Sequence, residues 1–525
     1  MMKINYKKLA RFAAIAGATF CINNNSFGQT SKSFYVLHPE IMKADVHYYN
    51  DLDKPEDVIN YVPDAGAYNW MADNIPLFEC PDTTLQNIYY YRWWCFRKHL
   101  VKTPVGFVFT EFITPVKFAG PYNTISSALG HQINEGRWLR NSTYINQYIS
   151  YWLFYDKYLK KQHFHSFSTW VEDAVYHLFL VNQDTAFLRK IVPPLDSDYH
   201  RWEGERQLKN KMFWQYDVKD AMEESISGGR HVKNMRPTIN SYMYGNAKAL
   251  AKMGAVLGDA NLVKKYQMKT DTLRMLVQKN LWDDSASFFE VKHPDGKFAN
   301  AREELGFIPW YFNLPNDENK YAQAWDQLID TTGFDAPWGI TTAERRNPLF
   351  RTHGSGHGCE WDGAVWPYAT TQTLKGLANL LDNYKHKGKM NASVFYYNLH
   401  KYAWAQQKDG HPFIGEYQDE KTGAWLRNDP RSRFYNHSSF ADLIINDLIG
   451  LRPREDNKLE ISPLIPKNKW DWFCLDGVKY HHVILTILWD KNGKKYKKGR
   501  GFRIFENGRE IFHSKKLKKV EVNLL

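Results

Sequence analysis

Two acidic motifs set among aromatic residues carry the chemistry that this sequence offers. The first is Asp-Ala-Met-Glu-Glu-Ser at residues 220–225, and the second is Gly-Glu-Tyr at residues 415–417, followed by Thr-Gly at 422–423. Between them lies Trp-Asp-Gly-Ala-Val-Trp-Pro at residues 361–367. Two carboxylates in an aromatic cleft suit cleavage of a glycosidic bond, because one can protonate the leaving oxygen while the other activates water. The motifs therefore predict a glycoside hydrolase.

The motifs lie in a segment, residues 61–450, whose apolar spacing is helical. Apolar residues recur at i, i+3, i+4 and i+7 after Asp82, a candidate N-cap, and again before Gly258, a candidate C-cap. Pro367 suits a first helical turn, and a last apolar face runs from residue 440 to 448. Further helices are expected near residues 121–135, 140–159, 168–180, 183–193, 260–281, 317–328 and 390–406. About eleven helices joined by long loops predict a mainly α fold, an (α/α)6 barrel of six inner and six outer helices.

The pattern changes after residue 451. Residues 483–489 alternate as a strand does, and Asn492-Gly493 and Asn507-Gly508 are typical of hairpin turns. We predict a β-sandwich-like accessory domain over residues 451–525. The glycosidase catalytic domain would occupy residues 61–450, after an irregular lead-in over residues 29–60.

The N-terminus has the pattern of a secretory signal peptide over residues 1–28. Four basic residues precede an apolar stretch that is too short to span a bilayer, and Ser26-Phe27-Gly28 offers a cleavage site. Cys21 could carry a lipid anchor, but bulky Phe20 stands where that signal has a small residue. We therefore expect export to the periplasm or cell surface without a lipid anchor. No later segment is apolar for long enough to form a transmembrane helix.

Most of the net charge of +12 comes from one segment. Residues 491–520 contain 12 Lys or Arg and two Glu, a net of +10, which we interpret as a solvated face of the β domain. An exported chain does not meet nucleic acid as an ordinary partner, so we predict that it binds no nucleic acid. We also expect a monomer. The cysteines beyond the signal peptide lack the spacing of zinc ligands and are expected to be buried thiols, although an oxidising compartment would permit one disulfide: Cys80, Cys95, Cys359 and Cys474.

The order of motifs between residues 333 and 450 resembles that of the six-hairpin glycosidases of glycoside hydrolase family 63 and the mannosylglycerate hydrolase-like group. Gly-Phe-Asp-Ala-Pro-Trp-Gly-Ile-Thr-Thr at 333–342 and Glu-Trp-Asp-Gly-Ala-Val-Trp-Pro at 360–367 precede the Gly-Glu-Tyr motif. Those families have Tyr-Gly-Ile-Pro, Trp-Arg-Gly-Pro-Val-Trp-Pro, and Glu-x-Tyr before Thr-Gly. Their Gly-Met-Asp-x-Ser-Pro aligns with residues 221–226. The resemblance covers most of residues 61–450.

The resemblance implies an inverting glycosidase with Glu223 as general acid and Glu416 as general base. Inverting enzymes hold the two carboxyl groups ~6.5–9.5 Å apart, with water between them. Glu223 must be protonated near neutral pH, so apolar and like-charged neighbours are expected to raise its pKa, whereas Glu416 must stay ionised. A barrel closed at one end forms a pocket, which predicts an exo-acting enzyme that removes a terminal sugar from an oligosaccharide or polysaccharide. The resemblance implies an α-glucoside or α-mannoside, but this architecture also hosts enzymes for α-L-rhamnosides and L-arabinofuranosides.

Three positions depart from the family pattern. Glu223 stands where the family usually has Asp, and Ile226 stands in place of Pro, so Asp220 or Asp217 is an alternative acid. Asp362 stands where the family often has Arg, so neutral sugar hydroxyls are its expected partners.

Several residues near the motifs are candidates for sugar binding: Arg236, Tyr242, Trp338, Trp361, Asp362, Trp366 and Tyr417. Glu111, Asn123 and His131 could shape the wall of the site, although structural roles are favoured for them. His353 and His357 lack a third metal ligand at a suitable spacing, and we predict no metal. No P-loop or dinucleotide-binding motif is present, and we predict no cofactor.

Two other functions fit part of the pattern. A polysaccharide lyase would use Tyr or His as its base, and Tyr242, His353 and His357 are candidates. A glycan-binding protein that has lost the reaction would keep the fold and bind sugar without turnover.

Overall fold

Helices are the main regular element of the chain that the computed structural model describes, which is residues 34–354, 356, 358–427 and 429–525. The predicted signal peptide over residues 1–28 and His357 lie outside these residues. The α-helices are α1 Lys43–Leu52, α2 Asp64–Asn74, α3 Thr83–Lys98, α4 Leu129–Gly136, α5 Thr143–Ser150, α6 Val171–Asn182, α7 Thr185–Arg206, α8 Pro237–Leu257, α9 Ala260–Leu281, α10 Ile308–Tyr311, α11 Asn319–Ala322, α12 Pro367–Asn383, α13 Ala392–Ala405 and α14 Phe440–Asp442. Short π-helical segments, Tyr151–Tyr155 and Leu443–Leu448, follow α5 and α14. The predicted mainly α class is confirmed.

The local signals at the ends of helices are confirmed. The Asp82 side chain accepts the amide hydrogen of Leu85 at 3.2 Å and caps α3. Gly258 ends α8 in the left-handed conformation, with φ of 74°. Pro367 is the first residue of α12, where its missing amide hydrogen costs nothing.

The expectation of an irregular lead-in over residues 29–60 is wrong for residues 43–52, which form α1. Val46 and Tyr49 of this helix are buried, and the Tyr49 ring lies 5.3 Å from that of Tyr91 in α3. Packing against α3 thus stabilises α1, whose sequence contains too few apolar residues to predict a helix.

Two of the predicted helices have other bounds. α7 continues past residue 193 to Arg206, through Pro193 and Pro194, because buried residues such as Leu195 and Trp202 continue its apolar face. Residues 121–128 are not helical. There Asn123 takes a left-handed φ of 58°, and its side chain bonds the backbone of Phe112 and Val116, which replaces helical hydrogen bonds.

The strands are short in the helical part of the chain and longer near its C-terminus: β1 Leu77–Glu79, β2 Leu100–Thr103, β3 Gly106–Phe109, β4 Trp214–Gln215, β5 Asn234–Met235, β6 Trp282–Asp283, β7 Phe288–Phe289, β8 Asp335–Ala336, β9 Gly339–Ile340, β10 Gln407–Lys408, β11 His411–Pro412, β12 Leu451–Arg452, β13 Lys458–Ile461, β14 Trp472–Tyr480, β15 Val483–Asp490, β16 Gly501–Glu506, β17 Arg509–Ser514 and β18 Val520–Asn523. The predicted C-terminal β region is therefore confirmed.

The main sheet has five antiparallel strands in the order β1-β14-β15-β16-β17. Asn507-Gly508 forms the predicted tight hairpin, with both residues at positive φ and Glu506 opposite Arg509. Asn492-Gly493 does not, because it lies in the longer connection between β15 and β16.

One strand of this sheet comes from the first hundred residues of the chain. β1 pairs with β14, and Leu77 lies opposite Asp476. The Asp476 carboxylate also accepts the amide hydrogens of Val36 and Leu37 at 2.6 and 2.7 Å. Residues 34–525 form one compact unit, and the domain boundary near residue 450 stays a prediction.

Among the described residues, none of the helices combines the length and the apolar character needed to cross a membrane. Cys80, Cys95, Cys359 and Cys474 are all free thiols, and all but Cys359 are buried.

Candidate active site

A cavity of about 220 Å³ brings both acidic motifs together. It lies where α4 and α12 begin: Ser127 precedes α4, and Trp366 and Tyr368 flank the first residue of α12. The residues that line it are Glu111, Phe112, Phe118, Ile125, Ser127, Phe167, Ala221, Glu223, Cys359, Trp361, Trp366, Tyr368, Glu416, Arg427, Arg431, Tyr435 and His437.

Glu223 reaches the cavity from a strained turn. The residues on either side of the Met222-Glu223 pair, Ala221 and Glu224, have left-handed φ values of 58° and 61°. The Glu223 carbonyl accepts the amide hydrogen of Trp361 at 3.2 Å, which joins the first acidic motif to the tryptophan motif. Burial raises the pKa of Glu223 to about 7, and the negative charge of Glu416 adds to this effect. The raised pKa has the direction that a general acid requires.

Glu416 lies on the cavity wall in a different electrostatic environment. Ser432 donates its hydroxyl hydrogen to Glu416 Oε2 at 3.0 Å, and Arg427 Nε lies 3.6 Å from the same oxygen. Burial raises the pKa of Glu416, whereas Arg427 and the Ser432 hydrogen bond lower it. Two carboxyl groups of the same type thus face one cavity, and Glu416 has a nearby cation and a hydroxyl contact that favour its ionised form.

A third carboxyl group, Glu111, lies in the same cavity. It accepts hydrogen bonds from the hydroxyls of Tyr435 and, at 2.8 Å, Ser127. Burial raises its pKa to about 7. A structural role was expected for this residue from the sequence.

The tryptophan motif forms an aromatic stack behind the carboxyl groups. The rings of Trp361 and Trp366 are stacked with centres 4.3 Å apart, and Tyr417 stacks on the other side of Trp366 at 4.6 Å. The Tyr417 hydroxyl donates to Glu360 Oε2 at 2.6 Å. Trp361 and Trp366 line the cavity, whereas Tyr417 supports the stack from outside the lining.

The alternative acid Asp220 is part of a buried ion pair outside the cavity lining. Arg236 Nε lies 2.7 Å from Asp220 Oδ2, and Thr238 also donates to this oxygen. Burial raises the pKa of Asp220, which Arg236 opposes. Asp220 and Arg236 therefore pair with each other outside the cavity lining.

Three other predicted sugar-binding residues also lie outside the lining. The Tyr242 hydroxyl accepts a hydrogen bond from Gln372 at 2.9 Å and is buried. Trp338 stacks on Trp404 with ring centres 4.2 Å apart. Asp362 pairs with Arg351, whose Nη2 lies 2.6 Å from its carboxylate.

Among the described residues, the candidate bases of the lyase alternative are not brought to the cavity either. Tyr242 is described above, and His353 is exposed, with Nε2 3.9 Å from Asp419. Among the described residues, one acidic group could hold a metal: Asp53, Glu56 and Asp64. There the Lys98 ammonium lies 2.6 Å from Asp53 and 2.8 Å from Asp64, where a cation would otherwise bind.

A mainly helical chain with tuned carboxyl groups in one aromatic cavity is typical of glycoside hydrolases. Sequence comparison agrees, because the profile of the mannosylglycerate hydrolase MGH1-like glycoside hydrolase domain matches residues 121–438. The chain belongs to this family, and the predicted glycosidase class is confirmed. Residues 451–513 match the C-terminal domain of glycosyl hydrolase family 65.

Solved structures show the same relationship at two levels of similarity. A chain named sialidase is 48% identical, with a TM-score of 0.91 over 94% of this chain and 46% of its own length. The family 63 mannosylglycerate hydrolase of Thermus thermophilus, solved with glucose, is 13% identical with a TM-score of 0.52, over 68% of this chain and 98% of its own. The family 78 rhamnosidase of Bacillus sp. GL1 is 10% identical with a TM-score of 0.55, over 79% of this chain and 40% of its own. The last two show similarity of fold alone.

An uncharacterized protein of Borreliella burgdorferi is 23% identical over 205 residues, which are 39% of this chain and 41% of that protein. The chain thus spans less than half the length of both this relative and the sialidase chain.

Proposed function

We propose that this protein is an exo-acting, inverting glycoside hydrolase in which Glu223 is the general acid and Glu416 the general base. One observation carries the proposal: both carboxyl groups line one cavity, and burial raises the pKa of each, but at Glu416 the contacts with Arg427 and Ser432 oppose this rise. Burial and the nearby carboxylate favour the protonated form of Glu223. Arg427 and Ser432 favour the ionised form of Glu416.

The reaction follows from these two states. Glu223 gives its proton to the glycosidic oxygen as the bond to the anomeric carbon breaks. Glu416 takes a proton from the water that attacks this carbon from the opposite face, so the anomeric configuration inverts. The products are the free sugar and the shortened glycan. Both carboxyl groups return to their starting states after one proton exchange with solvent.

We infer exo action from the dimensions of the cavity. Its volume of about 220 Å³ is below the ~300–1,000 Å³ of pockets for drug-sized ligands. One sugar ring is a suitable occupant, whereas a segment from the middle of a polysaccharide is too large. We assign the helices to an (α/α)6 barrel, which the fold similarity to the family 63 and family 78 enzymes supports.

The substrate is a carbohydrate. The related proteins differ in the sugar that they are named for, so they do not identify the terminal sugar. By name they act on mannosylglycerate, on rhamnosides and on sialyl compounds. We also propose that the chain is monomeric and, on the basis of the basic and apolar residues before position 28, that it is exported.

The first test is release of monosaccharide by residues 29–525 from a panel of plant, yeast and host glycans. Glu223→Gln and Glu416→Gln serve as the variants, since each keeps the shape of the side chain but cannot exchange the proton. Each is expected to lower turnover by about 10²–10⁴-fold. With a leaving group as good as dinitrophenolate, Glu223→Gln should recover activity while Glu416→Gln should not, because such a group departs without a proton.

Product analysis separates the alternatives. Proton NMR of the first product distinguishes inversion from retention of the anomeric configuration. An unsaturated product that absorbs in the ultraviolet would identify a lyase. Undiminished sugar binding by both variants, with no turnover by any form, would identify a glycan-binding protein.

A further inference from the structure

Two arginines, Arg427 and Arg431, line the cavity that holds the proposed catalytic pair. Arg427 Nη1 donates to the carbonyl oxygen of Gly358 at 2.6 Å, and its Nε lies 2.9 Å from Asp429 and 3.6 Å from Glu416. These contacts fix the guanidinium group at the cavity wall. Arg427 is therefore a preorganised cation rather than a flexible surface residue.

The second arginine, Arg431, is held by aromatic rings. Its guanidinium carbon lies 4.9 Å from the centre of the Phe112 ring and 6.0 Å from that of Phe118, and both rings also line the cavity. Its Nε is buried and makes no hydrogen bond within the described part of the chain. The carboxylate of Asp429, 3.5 Å away, is an ion-pair contact only. A buried donor of this kind costs free energy until a ligand or water accepts its hydrogen.

The balance of charge in the cavity also favours an anion. Burial raises the pKa values of Glu111 and Glu223 to about 7 each, so near neutral pH each carboxyl group is about half protonated. Burial lowers the pKa of His437 well below its usual value, so this side chain is neutral. Glu416 is then the main negative charge of the lining, against two arginines.

Asp429 does not cancel this excess. It lies outside the lining and is half exposed, where water weakens its attraction for the arginines.

We propose that the terminal sugar removed by this enzyme carries a carboxylate, which Arg427 and Arg431 bind. The inference rests on the proposed glycosidase function and specifies its substrate class. The sequence predicted that Asp362 binds neutral sugar hydroxyls. The carboxylate of Asp362 is bound to Arg351 instead, so we assign sugar recognition to the two arginines. The planar donor edge of an arginine matches a carboxylate in shape as well as in charge. Phe118, which is 47% exposed at the cavity, offers an apolar face to the same sugar.

The test compares aryl glycosides that share one leaving group. The acidic members are the α-N-acetylneuraminide and the glucuronide, each paired with its methyl ester. Neutral glucoside, mannoside and rhamnoside and a 6-sulfated glucoside complete the set. We expect release from an acidic member and little release from its ester or from the neutral glycosides.

Arginine variants locate the carboxylate. Arg431→Gln and Arg427→Gln are expected to raise KM for the acidic glycoside by roughly 10- to 100-fold, the effect of losing a charged hydrogen bond. The KM for the methyl ester should change less than about threefold, and Arg431→Lys should recover part of the loss because it restores the charge. Arg433→Gln is the matched control, since Arg433 has a similar exposure but pairs with Asp53 and Asp57 outside the lining.

Each result decides between the proposals. Release from neutral glycosides alone, unchanged in the arginine variants, would overturn the acidic substrate class and leave the glycosidase intact. Equal efficiency on the sulfated glucoside would overturn the assignment to a carboxylate. If no glycoside is cleaved, the proposed activity fails. Calorimetry with free N-acetylneuraminate, glucuronate and glucose then tests the arginines alone, and equal or weaker binding of both acids than of glucose would overturn their role.

Discussion

Removing the positive charge of Arg427 is expected to raise the pKa of Glu416 and to narrow the pH range of activity. The closest contact, Arg427 Nε to Glu416 Oε2, is 3.6 Å. At an effective dielectric constant of about 20, two unit charges at this distance interact by about 4–5 kcal/mol, equivalent to about 3 pKa units. Arg427 also pairs with Asp429 and is 21% exposed, so we reduce the expected shift to about 1–2 units.

The assay is the pH dependence of kcat/KM for Arg427→Gln and the wild type. The active form has Glu223 protonated and Glu416 ionised, so activity falls at low pH as Glu416 takes up a proton. It falls again at high pH as Glu223, with a pKa of about 7, loses its own proton. In Arg427→Gln the acidic limb should move up by about 1–2 pH units, while the basic limb moves much less. The maximum should fall because the two pKa values lie closer together.

Arg433→Gln again provides the control and should leave both limbs in place. An acidic limb that stays at the wild-type pH in Arg427→Gln would refute the role of Arg427 in keeping Glu416 ionised. So would an equal displacement in the control, because a change common to both variants cannot come from a contact that only Arg427 makes.

Three further predictions test residues around the site. Asp220→Asn, which breaks a buried ion pair, should lower the free energy of unfolding in urea by about 3–5 kcal/mol while kcat changes only a few-fold; loss of turnover at full stability would instead restore Asp220 as the acid. Gly423→Ala should destabilise the fold by about 2–4 kcal/mol in the same assay, because Gly423 has φ of +71° and a Cβ would lie 2.2 Å from the Trp338 ring; an unchanged midpoint would contradict this. Burial raises the pKa of Cys359, so iodoacetamide should alkylate this thiol slowly at pH 7 in the folded protein, and rapid labelling seen by mass spectrometry would argue against it.

Glu223 and Glu416 could be selected as candidates from the sequence because each lies in a motif that can be read locally. Glu223 and Glu416 are almost 200 positions apart, yet both line one cavity. Glu111 has no such context, and its setting depends on Tyr435, which is 324 positions away. Arg427 and Arg431 were missed for the same reason: in sequence they resemble any exposed arginine, and only the fold places them beside the cavity.

Residues close to a motif were also given roles that their packing does not support. Arg236 follows the first acidic motif closely, but it is buried against Asp220. Trp338 lies in one of the segments that resemble the family motifs, but it stacks on Trp404. The number of positions between a residue and a motif does not show to which side of the backbone its side chain projects.

The fold shows the same division between local and distant effects. Caps and first-turn prolines were predicted because the residues that satisfy a helix end lie within four positions of it. The three residues of β1 have too little pattern to be recognised as a strand, and their partner Asp476 is 399 positions after Leu77.

Because β1 and β14 are far apart along the chain, they are synthesised at different times. During synthesis at about 5–20 residues per second, β14 emerges roughly 20–80 s after β1. For that interval the residues of β1 have no strand to pair with, and the helices between them must form without the completed sheet. A chain stopped near residue 450 would leave β1 without its neighbour, and the C-terminal strands made alone would expose the edge of β14 to other molecules. β14, which is made late, therefore fastens β1, which is made early, and the five-stranded sheet is complete only when these two segments have met.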